Sequence, residues 1–194
     1  MKSDPAYELL RQFASPLVAI TSSWRGRTNG MISDSAVRAS ISPNVPRLSV
    51  YVHKWHFSHD LIWQSGRFAV HMLHRGQLEL VHQLGFVSGR ERDKLATIPH
   101  FLGKLGLPIL SDRVAAFEMR VLNTMDTGYA THFLGHVEAV HPGEEAEILT
   151  PSWFRANMPP AWAQEWQANY RKAQDVVERH SAIEARHWTG PARS

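Results

Sequence analysis

The stretch NGMISDSAVRASISP, Asn29 to Pro43, decides the reading of this chain. It gathers Gly30, Ser33, Ser35, Arg38, Ser40 and Ser42 into a segment that otherwise suits a strand and a turn. Small hydroxyl residues let a ligand approach the backbone, and their O–H and N–H groups can bind phosphate oxygens. Arg38 adds a charge-assisted contact. Further on, HKWHFSH (His53 to His59) sets Lys54 and the start of a short helix directly after a strand. The free N–H groups of a helix N-terminus form a natural anion site.

The flanking sequence gives these pieces a β framework. LVAITSSW (Leu17 to Trp24), rich in β-branched and aromatic residues, leads through Arg25-Gly26-Arg27 as the turn of a hairpin. RLSVYVH (Arg47 to His53) alternates Leu48, Val50 and Val52 with Ser49, Tyr51 and His53, the period of a strand with one apolar face. Ser58 suits a helix N-cap for HDLIWQS, with Gly66 as the stop. RFAVHML (Arg67 to Leu73) reads as a further strand, and Leu78, Val81 and Leu84 have helical spacing. Gly and Pro punctuate residues 85 to 112, predicting a long loop with a short helical piece. VAAFEMRVLNTMD and ATHFLGHVEAVH predict two long strands joined near Thr127-Gly128. Upstream, Asp4-Pro5 can start a short helix with Tyr7, Leu10 and Ala14 along one side.

The pattern changes after Thr150-Pro151. Trp162, Trp166, Tyr170, Ala173 and Val177 form one helical stripe. The expected organisation is a domain over residues 1–150 and a helical extension over 151–194, too short to own a core. The stripe is expected to pack on that domain or a partner subunit. The sharper alternative is that, with Trp55, Trp153 and Phe154, it roofs a ligand.

Bulk properties narrow the function classes. A chain of 194 residues with 43% hydrophobic residues suits one folded domain with a real core. Zero cysteines remove disulfides, thiolate nucleophiles and Cys-ligated metals together. No apolar run is long enough to span a bilayer, and MKSDPAYELLRQF carries acids where a secretory signal needs an apolar stretch, so a cytoplasmic protein is expected. The pI near 9.4 accompanies a formal charge of only +3, with Lys and Arg scattered. That distribution argues for a solvated surface over nucleic-acid binding.

The ordered series of segments resembles the flavin reductase-like family of FMN-binding split barrels. SPLVAITSSWRGRTNGM, the serine segment, HDLI, SGRFAVHML, Gln77, Asp93-Lys94, GLPIL, AAFEMRV and GYATHFLGHV carry the resemblance, over roughly residues 10 to 142. It implies a mainly β fold, a six-stranded Greek-key split β-barrel with short peripheral helices, that forms a homodimer with flavin in a groove at the interface. It also implies contacts to the flavin ring and ribityl chain from Met31, Ile32, Ser33, Asp34, Ser35, Arg38, Ala39 and Ser40. Phosphate contacts fall to Lys54, His56, Ser58 and His59, and His71 stands where the family often has asparagine near the flavin. The implied cofactor is FMN, with FAD as the other flavin and NAD(P)H as co-substrate. A partner monooxygenase is among the acceptors implied.

Two departures stand out. Relatives often carry Thr-Ala-Ser-Ser after NGM, whereas this chain has Ile32-Ser33-Asp34-Ser35, so Asp34 is expected to pair with Arg38 or meet ribityl hydroxyls. The GDHT-type motif, whose histidine lies near the nicotinamide in many reductases, is replaced by Gly128-Tyr129-Ala130-Thr131. A binding module without NAD(P)H turnover is therefore the alternative to a reductase.

Other signals are weaker. Among the 12 histidines, His53, His56 and His59 are evenly spaced, but a strand–turn–helix path points them apart and no carboxylate pair joins them. No metal site is expected, and His74, His82, His100 and His180 read as surface residues. There is no Gly-x-Ser-x-Gly nucleophile elbow and no GxGxxG nucleotide loop.

Overall fold

The computed structural model describes residues 15–181 together with Ala6, Leu10, Gln12 and Phe13. Asp4, Pro5, Tyr7 and Ala14 of the expected N-terminal helix lie outside the described residues, as do residues 182–194.

Strands β1 (Val18–Trp24) and β2 (Arg27–Ser33) form the expected hairpin. Its turn is Arg25-Gly26, both at positive φ (48° and 77°), the geometry whose twist matches the flanking strands. There follow β3 (Val37–Arg38), β4 (Arg47–His53), α1 (Phe57–Ser65), β5 (Arg67–Met72) and α2 (Leu78–Gly85). Then come β6 (His100–Leu102), β7 (Pro108–Leu110), β8 (Ala115–Asp126), β9 (Ala130–Pro142), α3 (Pro151–Asn157) and α4 (Pro160–His180). One antiparallel sheet runs β2-β1-β5-β8-β9-β4-β3, with β3 only two residues long. Its six long strands curl into the split barrel that the resemblance implies, helped by register shifts between Glu118/Met119 and Val121/Asn123, which sharpen the local twist.

The barrel interior is filled by Val18, Ile20, Met31, Val50, Val52, Ile62, Phe68, Val70, Met119 and Phe133. A second cluster outside it joins Leu17, Ala19, Leu73, Val81, Leu84, Leu95 and Phe154, with Trp153 and Trp166 packed against it. This cluster ties α2, α3 and α4 to the outer face of β1.

β2 and β3 are consecutive in the chain yet sit at the two ends of the sheet. Residues 34–36 therefore cross the gap between the sheet's edges. Ser35 secures that crossing: its Oγ donates to the Tyr51 carbonyl (3.0 Å) and accepts from the Tyr51 N–H (3.1 Å).

Two sequence expectations are corrected. Ser58 is not the N-cap of α1; His56 holds that position, and Ser58 lies inside the helix, fully buried, its Oγ accepting from Asn29 Nδ2 at 2.8 Å. A buried hydrogen bond to β2 outweighs a cap open to solvent. Residues 85 to 112 also carry the β6–β7 hairpin in place of an unbroken loop. Gly66 does end α1, in the left-handed region at φ 64°, its N–H reaching the Ile62 carbonyl.

Candidate functional site

The end of β2 and the residue after it deliver Ile32, Ser33 and Asp34 to one wall of a cavity of about 480 Å³, and the end of β4 and the turn after it deliver His53, Trp55 and His56. Phe86 closes the end beside α2, while Trp166, Asn169, Tyr170, Lys172, Ala173 and Val176 of α4 form the outer wall. The size suits a small organic molecule, and the lining is apolar and aromatic with a few polar groups. A neighbouring cavity of about 330 Å³ is lined by Lys54, His59, Asp60, Trp63, Gln64, Thr124, Asp126 and Thr131. The turn at His53 to His56 thus separates the residues that the sequence groups as one cradle.

In the first cavity the hydroxyl protons are fixed by elimination. Ser35 spends its single O–H on the Tyr51 carbonyl, so in the 2.8 Å contact between Ser33 Oγ and Ser35 Oγ it is Ser33 that donates. Ser33 Oγ also accepts the Ser35 N–H at 3.2 Å. Both side chains hold the turn, and neither has a proton left for a phosphate.

Burial favours the neutral form of the histidines at this turn. Burial pushes His56 down to about 3, with His53, Lys94 and His59 adding repulsion. Burial likewise lowers His53, opposed by Asp34, and lowers His59. His53 Nδ1 and His56 Nδ1 are buried without a hydrogen-bond partner. The wall thus offers polar nitrogen without charge, while Arg155 and Lys172 bring two cations to the lining against the one carboxylate of Asp34. Lys94, lowered to about 8 by burial, donates from Nζ to the Leu84 carbonyl (2.6 Å) and fixes the end of α2.

In the second cavity Lys54 Nζ is held by both Asp126 oxygens at 2.7 and 2.8 Å, and His59 Nε2 meets Thr131 Oγ1 at 2.8 Å. His59 also stacks on Trp63 at 6.0 Å.

The remaining expected contacts fall elsewhere. Met31 points into the barrel core. Arg38 and Ala39 are exposed at the sheet edge, with the Ala39 N–H on the Arg47 carbonyl, and Ser40 Oγ accepts from the Ser42 N–H. The Asp34–Arg38 pair is not formed. Ser58 has no exposed surface to offer a phosphate. His71 is also fully buried: Nε2 accepts from the Leu110 N–H (3.2 Å), so Nδ1 carries the proton facing the Ala19 carbonyl (3.3 Å). As folded, Ser58 and His71 line neither cavity. His82, read as a surface residue, instead stacks on Trp162 at 4.4 Å.

Sequence reasoning missed Phe86, Asn169, Lys172 and Asp126. Asp126 had a signal, since it ends a strand opposite Lys54's turn. The others become neighbours only through the docking of α4. Among the described residues there is no group of three or more histidines and acids able to hold a metal ion, and no helix long and apolar enough to cross a membrane.

Comparison with known proteins agrees with this architecture. A high molecular weight rubredoxin of Moorella thermoacetica is 35% identical over 140 residues, 71% of this chain and 60% of that protein. A ferric-chelate reductase (NAD(P)H) of Archaeoglobus fulgidus is 28% identical over 69% of this chain and 79% of its own length. The crystal structure of an FMN-binding protein from Thermus thermophilus with bound p-hydroxybenzaldehyde superposes with a TM-score of 0.65 at 30% identity, covering 73% of this chain and 79% of that one. The chain spans 60% of the length of the rubredoxin relative. The model of the flavin reductase like domain matches residues 10–160, and the chain belongs to that family.

Proposed function

We propose that this chain is an FMN-binding oxidoreductase that draws reducing equivalents from NAD(P)H and works as a homodimer. The observation that carries the reading is the 480 Å³ cavity, in which the residues after NGM meet the turn after β4. Its aromatic lining suits a planar ring system, and the unpaired Nδ1 atoms of His53 and His56 beside it fit a ligand carrying ring heteroatoms. Flavin, when bound, supplies the two-electron chemistry between a nicotinamide and an acceptor, and the protein supplies binding and electrostatics. Ile32, Trp55 and Phe86 give apolar walls, and Ser33 and Ser35 hold the turn rigid. The phosphate end fits less freely, because Lys54 already holds Asp126 and a phosphate has to displace that carboxylate. The NAD(P)H requirement follows the Archaeoglobus relative, and FMN follows the Thermus structure.

The dimer draws support from exposed apolar residues on β3, β4 and β8, namely Val37 (51% exposed), Leu122 (48%) and Met125 (52%), with Tyr51 stacked on His132 at 4.3 Å. Light scattering of the purified chain tests it, and a monomeric mass at micromolar concentration refutes it.

A second reading, a flavin-holding module without NAD(P)H turnover, is favoured by Ala130, which is fully buried at the position where the family resemblance implies a histidine. One experiment separates the two. FMN is added to the purified protein, its visible absorbance recorded, and the complex mixed anaerobically with NADH or NADPH. Bleaching supports the reductase, an unbleached complex supports the module, and failure to bind FMN refutes both.

A further inference from the structure

Helix α4 begins at Pro160, where the family match ends, yet it builds a full wall of the cavity. It has no buried residue of its own and is held mainly through its first turns. The Trp162 ring lies nearly parallel over His82, with centroids 4.4 Å apart and planes 15° from parallel, and meets Phe86 edge-on at 6.2 Å. Glu165 reaches His82 Nε2 at 3.3 Å, and Asn169 Nδ2 donates to the Phe86 carbonyl at 3.2 Å. These contacts fasten α4 to the C-terminal end of α2, which Lys94 holds from below. Further along, Trp166 and Tyr170 stack on each other, centroids 5.1 Å apart and planes 15° from parallel, and both line the cavity opposite Ile32–Asp34 and Trp55.

Such a helix opens more readily than the barrel strands, because none of its residues is fully buried. Closed, it encloses a planar ligand, and stacked aromatic rings are surfaces on which another ring packs well. We propose that α4 is a clamp that retains the flavin: Trp166 and Tyr170 cover the ring system, and Trp162 and Asn169 latch the helix to α2. The flavin is then a resident cofactor and not a substrate that diffuses between enzymes. This inference rests on the flavin reading above, and its signature is kinetic, because a clamp acts mainly on the rate of release.

The test loads the full chain with FMN and follows recovery of flavin fluorescence after dilution. Trp166→Ala removes the wall, and Trp162→Ala removes only the latch, since Trp162 does not line the cavity. Each is expected to speed release by roughly tenfold or more, the loss of one aromatic packing contact, with association little changed. Far-UV circular dichroism should match wild type, because neither residue is buried in the barrel. If the wild type binds FMN and both variants release it at the wild-type rate, the clamp is refuted and the flavin reading stands. Wild-type release complete within the mixing time refutes the clamp as well. A wild type that never quenches FMN removes the flavin reading itself, a different result from either.

Discussion

Replacing His71 with glutamine should flatten the acid side of the stability profile. His71 is fully buried in β5, and burial drives its imidazole down to about 3, with Arg113 and His141 adding repulsion and the Ala19 carbonyl opposing them. The unfolded chain binds a proton there near pH 6.5 and the folded chain does not, so acidification favours unfolding. The contribution is whole above pH 6.5, erodes as pH falls through that value, and is gone below about 3. Between pH 7 and pH 5 this one residue costs about 2 kcal/mol of stability. Glutamine can still donate to the Ala19 carbonyl and accept from the Leu110 N–H, but it does not titrate. Urea unfolding at the two pH values, followed by circular dichroism, measures the difference directly. His56, lowered to about 3 as well, supplies a second such loss, so the variant should keep about half of the combined wild-type loss from these two residues. If His71→Gln loses as much stability on acidification as wild type, the buried imidazole is not the acid-sensitive group.

Two further perturbations probe the site and the scaffold. Asp126→Asn should tighten FMN by up to about fivefold at low ionic strength while leaving riboflavin unchanged, because it frees Lys54 for the phosphate; equal shifts for both ligands in a fluorescence titration refute that role. Glu118 is fully buried and accepts from the Lys104 N–H (2.7 Å), the Leu105 N–H (2.6 Å) and His141 Nε2 (2.7 Å). Glu118→Ala orphans those donors and should cost about 4 kcal/mol in urea unfolding; a cost below about 1 kcal/mol means that water replaces the carboxylate.

The strands of the barrel were legible because their chemistry is local. Arg47 to His53 alternates over its second half, with Val50 and Val52 buried and Tyr51 exposed, while Ser49 is buried as well. The β6–β7 hairpin was not legible, because two strands of three residues each leave no period to count. His71 misled for a different reason. β5 is covered on both sides, Phe68 and Val70 facing the barrel interior and Ala69 a separate cluster, so alternation along it does not separate ligand-facing from buried positions. At the site, composition pointed to the segment but not to its hydrogen bonds. Ser33, Ser35 and Lys54 looked free in the sequence and are engaged with each other, with Tyr51 and with Asp126. The aromatic stripe of α4 was visible from its spacing, whereas its position over the cavity depends on α2, more than seventy residues away.

The crossing at residues 34–36 has one more consequence. The segment that joins the two open edges of the sheet is also a rim of the binding cavity, so ligand occupancy and closure of the seam are thermodynamically linked. Any molecule that binds the closed form more tightly raises the cost of parting those edges by an amount set by its concentration over its dissociation constant. The melting temperature should therefore climb with the logarithm of ligand concentration. Loosening the Ser35 staple should weaken binding even though its hydroxyl is already engaged by Tyr51 and Ser33. A thermal shift screen on this chain would in effect read the state of its seam.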